Sequence, residues 1–477
     1  MQLNISLEHE LVIDLFAGGG GASLGIEWAM GRVDIAVNHD PEAVAMHQAN
    51  HPRTRHFCES VFRVNPLDVA GHRQVGLLWA SPDCTHHSKA KGGKPVSKKI
   101  RGMAWVVVKW ARRLRPRLIM LENVEEFEDW GPMTKDGRPC PLRKGQQFQE
   151  FIRQLERIGY QVEWRLLRAC NYGAPTIRRR LFMIARRDGQ TIRWPAPTHG
   201  NPNSEAVRRG LLQPWRAAAE CIDWSIPCPS IFERQRPLAE NTLRRIAHGI
   251  QRFVLDDPDP FLLTIDHQSI NKGSYDVDLP LTKITSKARH SQVAEFLAKH
   301  YGDNYEGPGA DVRQPMSTVT TRDNHALGKA HLLNFKGRDR RMRWNGPAAP
   351  HICAGGNHAA LVAALIAPYY GSGSGTTGRD LRAPAPTVTS RDRLQLVTVT
   401  IDWQSYVLTD IGMRMLQPRE LYRIQGFPDS YIIDRGPNGR LLSKTSQVRM
   451  CGNSVCPQVA AAIVSENFQH EQQLRTA

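Results

Sequence analysis

No stretch of this 477-residue sequence approaches the ~20 consecutive apolar residues needed to cross a bilayer, so no membrane association is expected. The segment before the first apolar run has no basic region, cleavage site or twin arginine, and no export signal is read there. CxxC pairs are missing: nine cysteines at irregular spacings fit a reduced cytoplasmic setting better than a zinc or disulfide framework, and no metal is expected. Acidic residues are the scarcer charge, 46 Asp and Glu against 63 Lys and Arg, for a net +17. Clustered cations gain affinity by displacing counterions from phosphates, so the excess favours a polyanionic partner, nucleic acid ahead of an acidic membrane surface, with a solvated basic surface as the alternative.

What is present is an ordinary globular composition, 41% apolar and 23% charged, in a chain long enough for two or more domains. The first third alternates apolar runs with helical patterns. LVIDLF (11 to 16), VDIAVN (33 to 38), GLLWAS (76 to 81) and RLIMLEN (117 to 123) read as buried parallel strands. ASLGIEWAM, PEAVAMHQAN and MAWVVVKWARRLRP between them carry apolar residues at helical spacing. The pattern predicts a doubly wound, Rossmann-like α/β domain over 1–188, its sheet continuing through QVEWRLLRA (161 to 169) and RRLFMIARR (179 to 187). Prolines 195, 197 and 202 with Gly200 then suggest a boundary near 189.

Residues 189–399 read as an inserted β-rich domain. From about 260 to 396 it repeats itself, with anchors LTKIT at 281, STVTT at 317, HICAG at 351 and PTVTS at 386, and with Pro280, Pro315 and Pro350 spaced 35 residues apart. Loops recurring at one register would project from one edge, which suits the reading of a linear polymer; Arg322 and Arg391 follow two of the TVT-like strands. From 400 to 477 the chain returns to the first domain, with helical patterns in RMLQPRELYRIQ and CPQVAAAIVSENF.

Asp14-Leu15-Phe16-Ala17-Gly18-Gly19-Gly20-Gly21 joins the first strand to a helix, where glycines let a ligand approach the backbone. It has neither GxGxxG spacing nor the Lys-Ser/Thr of a phosphate loop. Asn38-His39-Asp40 ends the second strand about 20 residues on, a common place for ribose hydroxyls, so a nucleoside-bearing cofactor is expected. Cys84 follows the strand GLLWAS and precedes a basic loop with Ser88, Lys89, Lys91 and Lys94 that could touch phosphates as a lid. Cations and a strand end favour a thiolate. Glu122 ends another strand, where a carboxylate can do acid or base work or merely cap a helix. Alternation puts Arg178 and Arg180 on one face ahead of the strand LFMIA.

In this order the segments resemble the DNA (cytosine-5)-methyltransferase family: DLFAGGGGASLG, SPDCTHHS, ENV at 122 to 124, YGAPTIRRRLFMI, QPRELYRIQGFPD and QVRMCGNSV. The resemblance covers most of the predicted catalytic part. It implies S-adenosyl-L-methionine as cofactor, leaving as S-adenosyl-L-homocysteine, with double-stranded DNA as substrate and the repeat-bearing insert as target recognition domain. Cys84 would be the nucleophile towards a flipped-out cytosine, with Glu122, Arg178 and Arg180 around the base. Phe16, Gly18, Gly20, Asn38, His39, Glu59, Pro82, Asn453 and Ser454 would line the cofactor site. A monomer of bacterial or phage origin, acting in the cytoplasm at the nucleoid, is implied, with a restriction endonuclease as companion. Four positions depart from the family pattern: Asp83 replaces a proline, Asn38 an acidic ribose ligand, Glu59 an aspartate, and Thr176 a glutamine. An RNA cytosine methyltransferase of related fold, acting on transfer RNA, and a catalytically silent DNA-binding regulator are the competing readings.

Overall fold

The structure is a computed structural model. It describes residues 9–83, 102–134, 140–223, 225–227, 229–236, 238 and 404–468, with 261–265, 274–276, 289–299, 310–311, 314–315, 325–334, 367–368, 394–395 and 399–401. The described residues fall into two compact units, one within Met1–Ile222, Arg313–Asp323 and Gln417–Ala477, the other within Asp223–Val312 and Asn324–Leu416.

The first unit is built on strands β1 (Leu11–Leu15), β2 (Ile35–Asn38), β3 (Arg55–Cys58), β4 (Val75–Ala80), β5 (Leu118–Asn123), β6 (Gln161–Arg168) and β7 (Arg179–Arg186), in the order β3-β2-β1-β4-β5-β7-β6. The order reverses between β1 and β4, which opens a crevice beyond the strand ends. This is the doubly wound α/β architecture expected. The short strand β3 was not legible, because Arg55-His56-Phe57-Cys58 is a partly exposed edge without an apolar run. Strands β1 to β5 pair in parallel, whereas β7 runs antiparallel to both β5 and β6. Because it is reversed, β7 starts at the edge where the parallel strands end.

Period-2 alternation divides the core between the two faces of the sheet. Leu11, Ile13 and Leu15 pack with helices α4 (Ala104–Leu114) and α5 (Gln146–Arg157). On the other face Val12, Leu77, Trp79 and Met120 pack with α1 (Gly21–Met30) and α8 (Pro457–Asn467). Two further helices, α2 (Pro41–Asn50) with Asp40 as its N-cap and the short α3 (Pro66–Ala70), follow β2 and β3 respectively. From the C-terminal part come α6 (Pro418–Ile424) and α7 (Lys444–Asn453). The pattern around RMLQPRELYRIQ suggests a return to helix from 412, but residues 412–415 end a strand, Gln404–Met415. The helix starts at Pro418, where proline suits the first turn and Gln417 with Glu420 forms a capping box.

The second unit is β-rich, as expected. Its principal sheet runs in the order Ser274–Asp276, Phe261–Ile265, Arg289–Lys299, His325–Asn334, Gln404–Met415, Val399–Ile401, with every pair antiparallel. The four repeat anchors at 281, 317, 351 and 386 lie outside the described residues.

Candidate active site

The carboxyl ends of β1 to β5 deliver Leu15, Asn38, Cys58, Ala80 and Asn123 to one edge of the sheet, and β7 delivers Arg179 to the same edge from its start. Glu122, one residue before the end of β5, is 7% exposed. Burial pushes its carboxyl above the usual carboxylate range, opposed by the guanidinium groups of Arg178 and Arg180. Arg180 Nε lies 3.4 Å from Glu122 Oε1. Buried Arg178 donates from Nη1 to the carbonyl of Gly452 at 3.1 Å, and its amide donates to Thr176 Oγ1 at 3.3 Å. Between them, Arg179 turns away and pairs with Glu125. The alternation read from the sequence therefore holds. Glu122, Arg178 and Arg180 border one small cavity with Phe182, Val455 and Cys456.

Pro82 is buried, and its carbonyl accepts from Asn123 Nδ2 at 3.2 Å, which ties the segment leading to Cys84 onto the end of β5. Asp83 is exposed and is the last described residue before Cys84. Cys84 itself and the basic positions Ser88, Lys89, Lys91, Lys94, Arg322 and Arg391 lie outside the described residues.

The glycine-rich turn after β1 is held in left-handed backbone, with φ +62° at Phe16, +55° at Gly18 and +99° at Gly20. The two glycines differ in surroundings. A β-carbon on Gly18 would meet only Phe16 O, at 3.9 Å, whereas one on Gly20 would lie 2.2 Å from Tyr431 Oη and 2.8 Å from His51 Nε2. Gly20 is thus required by packing, and Gly18 leaves open space above the turn. At the next strand end, Asn38 Oδ1 accepts from the amide of Asp40 at 2.9 Å, and its carbonyl accepts from the amide of Glu59 at 3.1 Å. His39 and Glu59 are exposed beside it. Asn453 is exposed at the end of α7, and Ser454 is buried against Gly21, where an added β-carbon would approach Ser454 Oγ to 2.0 Å.

Sequence reading missed a buried polar network behind the turn. Tyr431 Oη donates to the carbonyl of Gly19 at 2.6 Å and lies 3.1 Å from His51 Nε2, while His51 Nδ1 sits 2.9 Å from Glu27 Oε2. Ser23 Oγ donates to Asp14 Oδ2 at 2.7 Å, His47 Nε2 lies 2.9 Å from Ser23 Oγ, and His47 Nδ1 lies 2.8 Å from His56 Nε2. The only signal in the sequence was the four-residue spacing of His47 and His51, since Tyr431 is 380 residues from His51.

Comparison with known proteins accords with this geometry. Residues 11–225 and 291–469 match the family described as C-5 cytosine-specific DNA methylase. The chain is 28% identical over 463 residues to the type II methyltransferase M.AgeI of Thalassovita gelatinovora, covering 94% of this chain and 97% of that protein. It is 29% identical over 197 residues to the type II methyltransferase M1.HphI of Haemophilus parahaemolyticus, covering 40% of this chain and half (50%) of that relative's length. Among solved structures, a mutant form of Spodoptera frugiperda DNMT2 is similar at 14% identity and a TM-score of 0.49, over 96% of this chain and 100% of that one.

Proposed function

The chain belongs to the C-5 cytosine-specific DNA methylase family, whose methyl donor is S-adenosylmethionine, and from that premise we propose that it methylates carbon 5 of cytosine within a specific sequence of duplex DNA. The observation that carries this reading is the convergence of Glu122, Arg178 and Arg180 at the strand edge to which Asn123 ties Pro82, two residues before Cys84.

The residues fit the cofactor. Gly18 keeps clear the space that a side chain would fill above the turn, and Phe16, in left-handed backbone and packed against the core, would line the same site. Asn38 has one side-chain acceptor committed to its own turn, which leaves its amide nitrogen for a ribose hydroxyl. Glu59, bonded through its amide to the Asn38 carbonyl, would meet a base amino group, with His39 beside it, and Ser454, which lies against Gly21, would close the turn from the C-terminal side with Asn453. When bound, S-adenosylmethionine supplies an electrophilic methyl group on a sulfonium.

Carbon 5 of cytosine is a weak nucleophile, and addition of the Cys84 thiolate to carbon 6 makes it an enamine carbon. Negative charge builds at ring nitrogen 3 as the thiolate adds. Glu122, with its carboxyl raised by burial, holds a proton for that nitrogen, and Arg180 fixes the carboxyl's orientation. Arg178 is bound to the Gly452 carbonyl and so couples the base site to the segment that closes the cofactor turn. Once carbon 5 carries the methyl group, loss of its proton to water and expulsion of the Cys84 thiolate regenerate the enzyme. The reaction needs the cytosine outside the helical stack, at a cost of a few kcal/mol. The insert is the target recognition domain in this reading, and Arg322 and Arg391, with Ser88, Lys89, Lys91 and Lys94, would contact the DNA. A companion restriction endonuclease fits the type II relatives.

Base-resolution mapping of 5-methylcytosine in DNA from a methylation-free host expressing the chain tests the reading. One methylated sequence context is expected, and Cys84→Ala should abolish it while DNA binding persists. Methylation confined to transfer RNA, or unchanged methylation by Cys84→Ala, overturns the substrate or the nucleophile respectively.

A further inference from the structure

Asp14 is fully buried at the end of β1, two residues before Phe16, on the face of the sheet that α1 covers. Its Oδ2 accepts from Ser23, whereas Oδ1 has no hydrogen-bond partner among the described residues. No lysine or arginine among the described residues pairs with it. A buried anion so placed lacks a counter-charge, and a cation arriving in the adjacent turn would supply one.

We propose that Asp14 is a positioning residue that selects the cationic methyl donor over its neutral product, and that solvent sets its charge through Ser23, His47 and His56. This rests on the cofactor reading above. S-adenosylmethionine carries a sulfonium and S-adenosylhomocysteine a neutral thioether, so a nearby carboxylate favours the first and leaves the second almost unaffected. At a separation of about 10 Å and an effective dielectric constant of about 25 to 50, one charge shifts such a preference by about three- to tenfold.

The bond directions define the relay. The single Ser23 hydroxyl proton goes to Asp14, so His47 presents Nε2–H to Ser23 Oγ and its bare Nδ1 to Nε2–H of His56. His56 is half-buried and forms the solvent end. A proton taken up at His56 Nδ1 moves the His56 Nε2 proton to His47 Nδ1, the His47 Nε2 proton to Ser23, and the Ser23 proton to Asp14. Each histidine ends neutral as the other tautomer, and Asp14 has gained one proton. His47 relays rather than stores charge, because burial, with His51 and His56 beside it, holds its pKa well below the usual histidine value. Burial, opposed by the hydrogen bonds of Ser23, pushes Asp14 up to about 7, so the switch falls in the working range. The titratable groups facing this cluster are Glu27 of α1, His47 and His51 of α2, His56 of β3 and Tyr431 of the C-terminal segment.

The test is equilibrium binding of both ligands to the full chain between about pH 5.5 and about pH 8.5. The amino-acid ends that they share cancel in the affinity ratio. In the wild type the preference for S-adenosylmethionine should grow about three- to tenfold with rising pH, as Asp14 loses its proton. Asp14→Asn should abolish the rise and keep the affinity for S-adenosylhomocysteine. Ser23→Ala retains the carboxyl and the backbone amide of residue 23 but removes the hydroxyl donor, so the rise should move to higher pH; this variant serves if Asp14→Asn does not fold. A flat wild-type ratio, an unaltered profile in Asp14→Asn, or an unmoved midpoint in Ser23→Ala overturns the proposal. A wild-type chain that binds neither ligand overturns the cofactor reading itself.

Discussion

Arg180 reaches Glu122 from a neighbouring strand of opposite direction: its Nε lies 3.4 Å from Glu122 Oε1, across the register that pairs Glu122 with Phe182. The contact orients the carboxyl, yet burial still leaves the proton more tightly held than in water.

Glu122→Gln should therefore lower kcat by about two to four orders of magnitude, the usual worth of a positioned acid. The effect on stability depends on pH. A carboxyl whose folded pKa is raised contributes favourably below its unfolded value and loses that contribution as pH rises through the folded value. Denaturation of both proteins at about pH 4.5 and about pH 7.5 should show the variant gaining on the wild type at the higher pH. A stability difference independent of pH would contradict the raised carboxyl.

Gly18 and Gly20 should respond oppositely to alanine. Gly20→Ala places a methyl group 2.2 Å from Tyr431 Oη in left-handed backbone, and is expected to destabilise the unit by about 2–4 kcal/mol in a denaturant melt. Gly18→Ala has room and should cost about 1 kcal/mol for the left-handed backbone alone. Its main effect should be a lowered affinity for S-adenosylmethionine by calorimetry. Equal melting losses in both variants would be inconsistent with the two environments.

Asp188 should stabilise the fold through its ion pairs. Burial alone would raise its carboxyl, but the paired contacts from Arg186, the amide of Gln190 and Arg117 outweigh it and pull the pKa to about 2. A depressed carboxyl contributes above its unfolded pKa and loses that contribution as pH falls through the folded one. Asp188→Asn should thus cost about 1 kcal/mol at neutral pH, discounted for partial solvent access, and close to nothing at about pH 2. Thermal melts across that window check the sign.

Strands with uninterrupted apolar runs, such as Leu11–Leu15 and Val75–Ala80, were legible because both faces of the sheet are covered and every residue is buried. Arg178 and Arg180 were legible because a strand's period of two needs no partner to be seen. The reversal of β7 was not, since an antiparallel strand inside a covered sheet carries the same apolar run as a parallel one. The anchoring of the glycine turn was also hidden. It depends on Tyr431 and His51, which are unremarkable in their own segments and acquire a role only through tertiary packing.

That anchoring also orders events during synthesis. The Gly19 carbonyl leaves the ribosome 412 residues before the Tyr431 hydroxyl that holds it, and the Arg178 guanidinium 274 residues before the Gly452 carbonyl that it binds. Chains emerge from the amino end, so the nascent protein displays its strands and turn for most of translation without the clamps that complete them. The turn is therefore clamped only after the second unit has been made, and an interrupted chain carries the glycine turn without the groups that hold it.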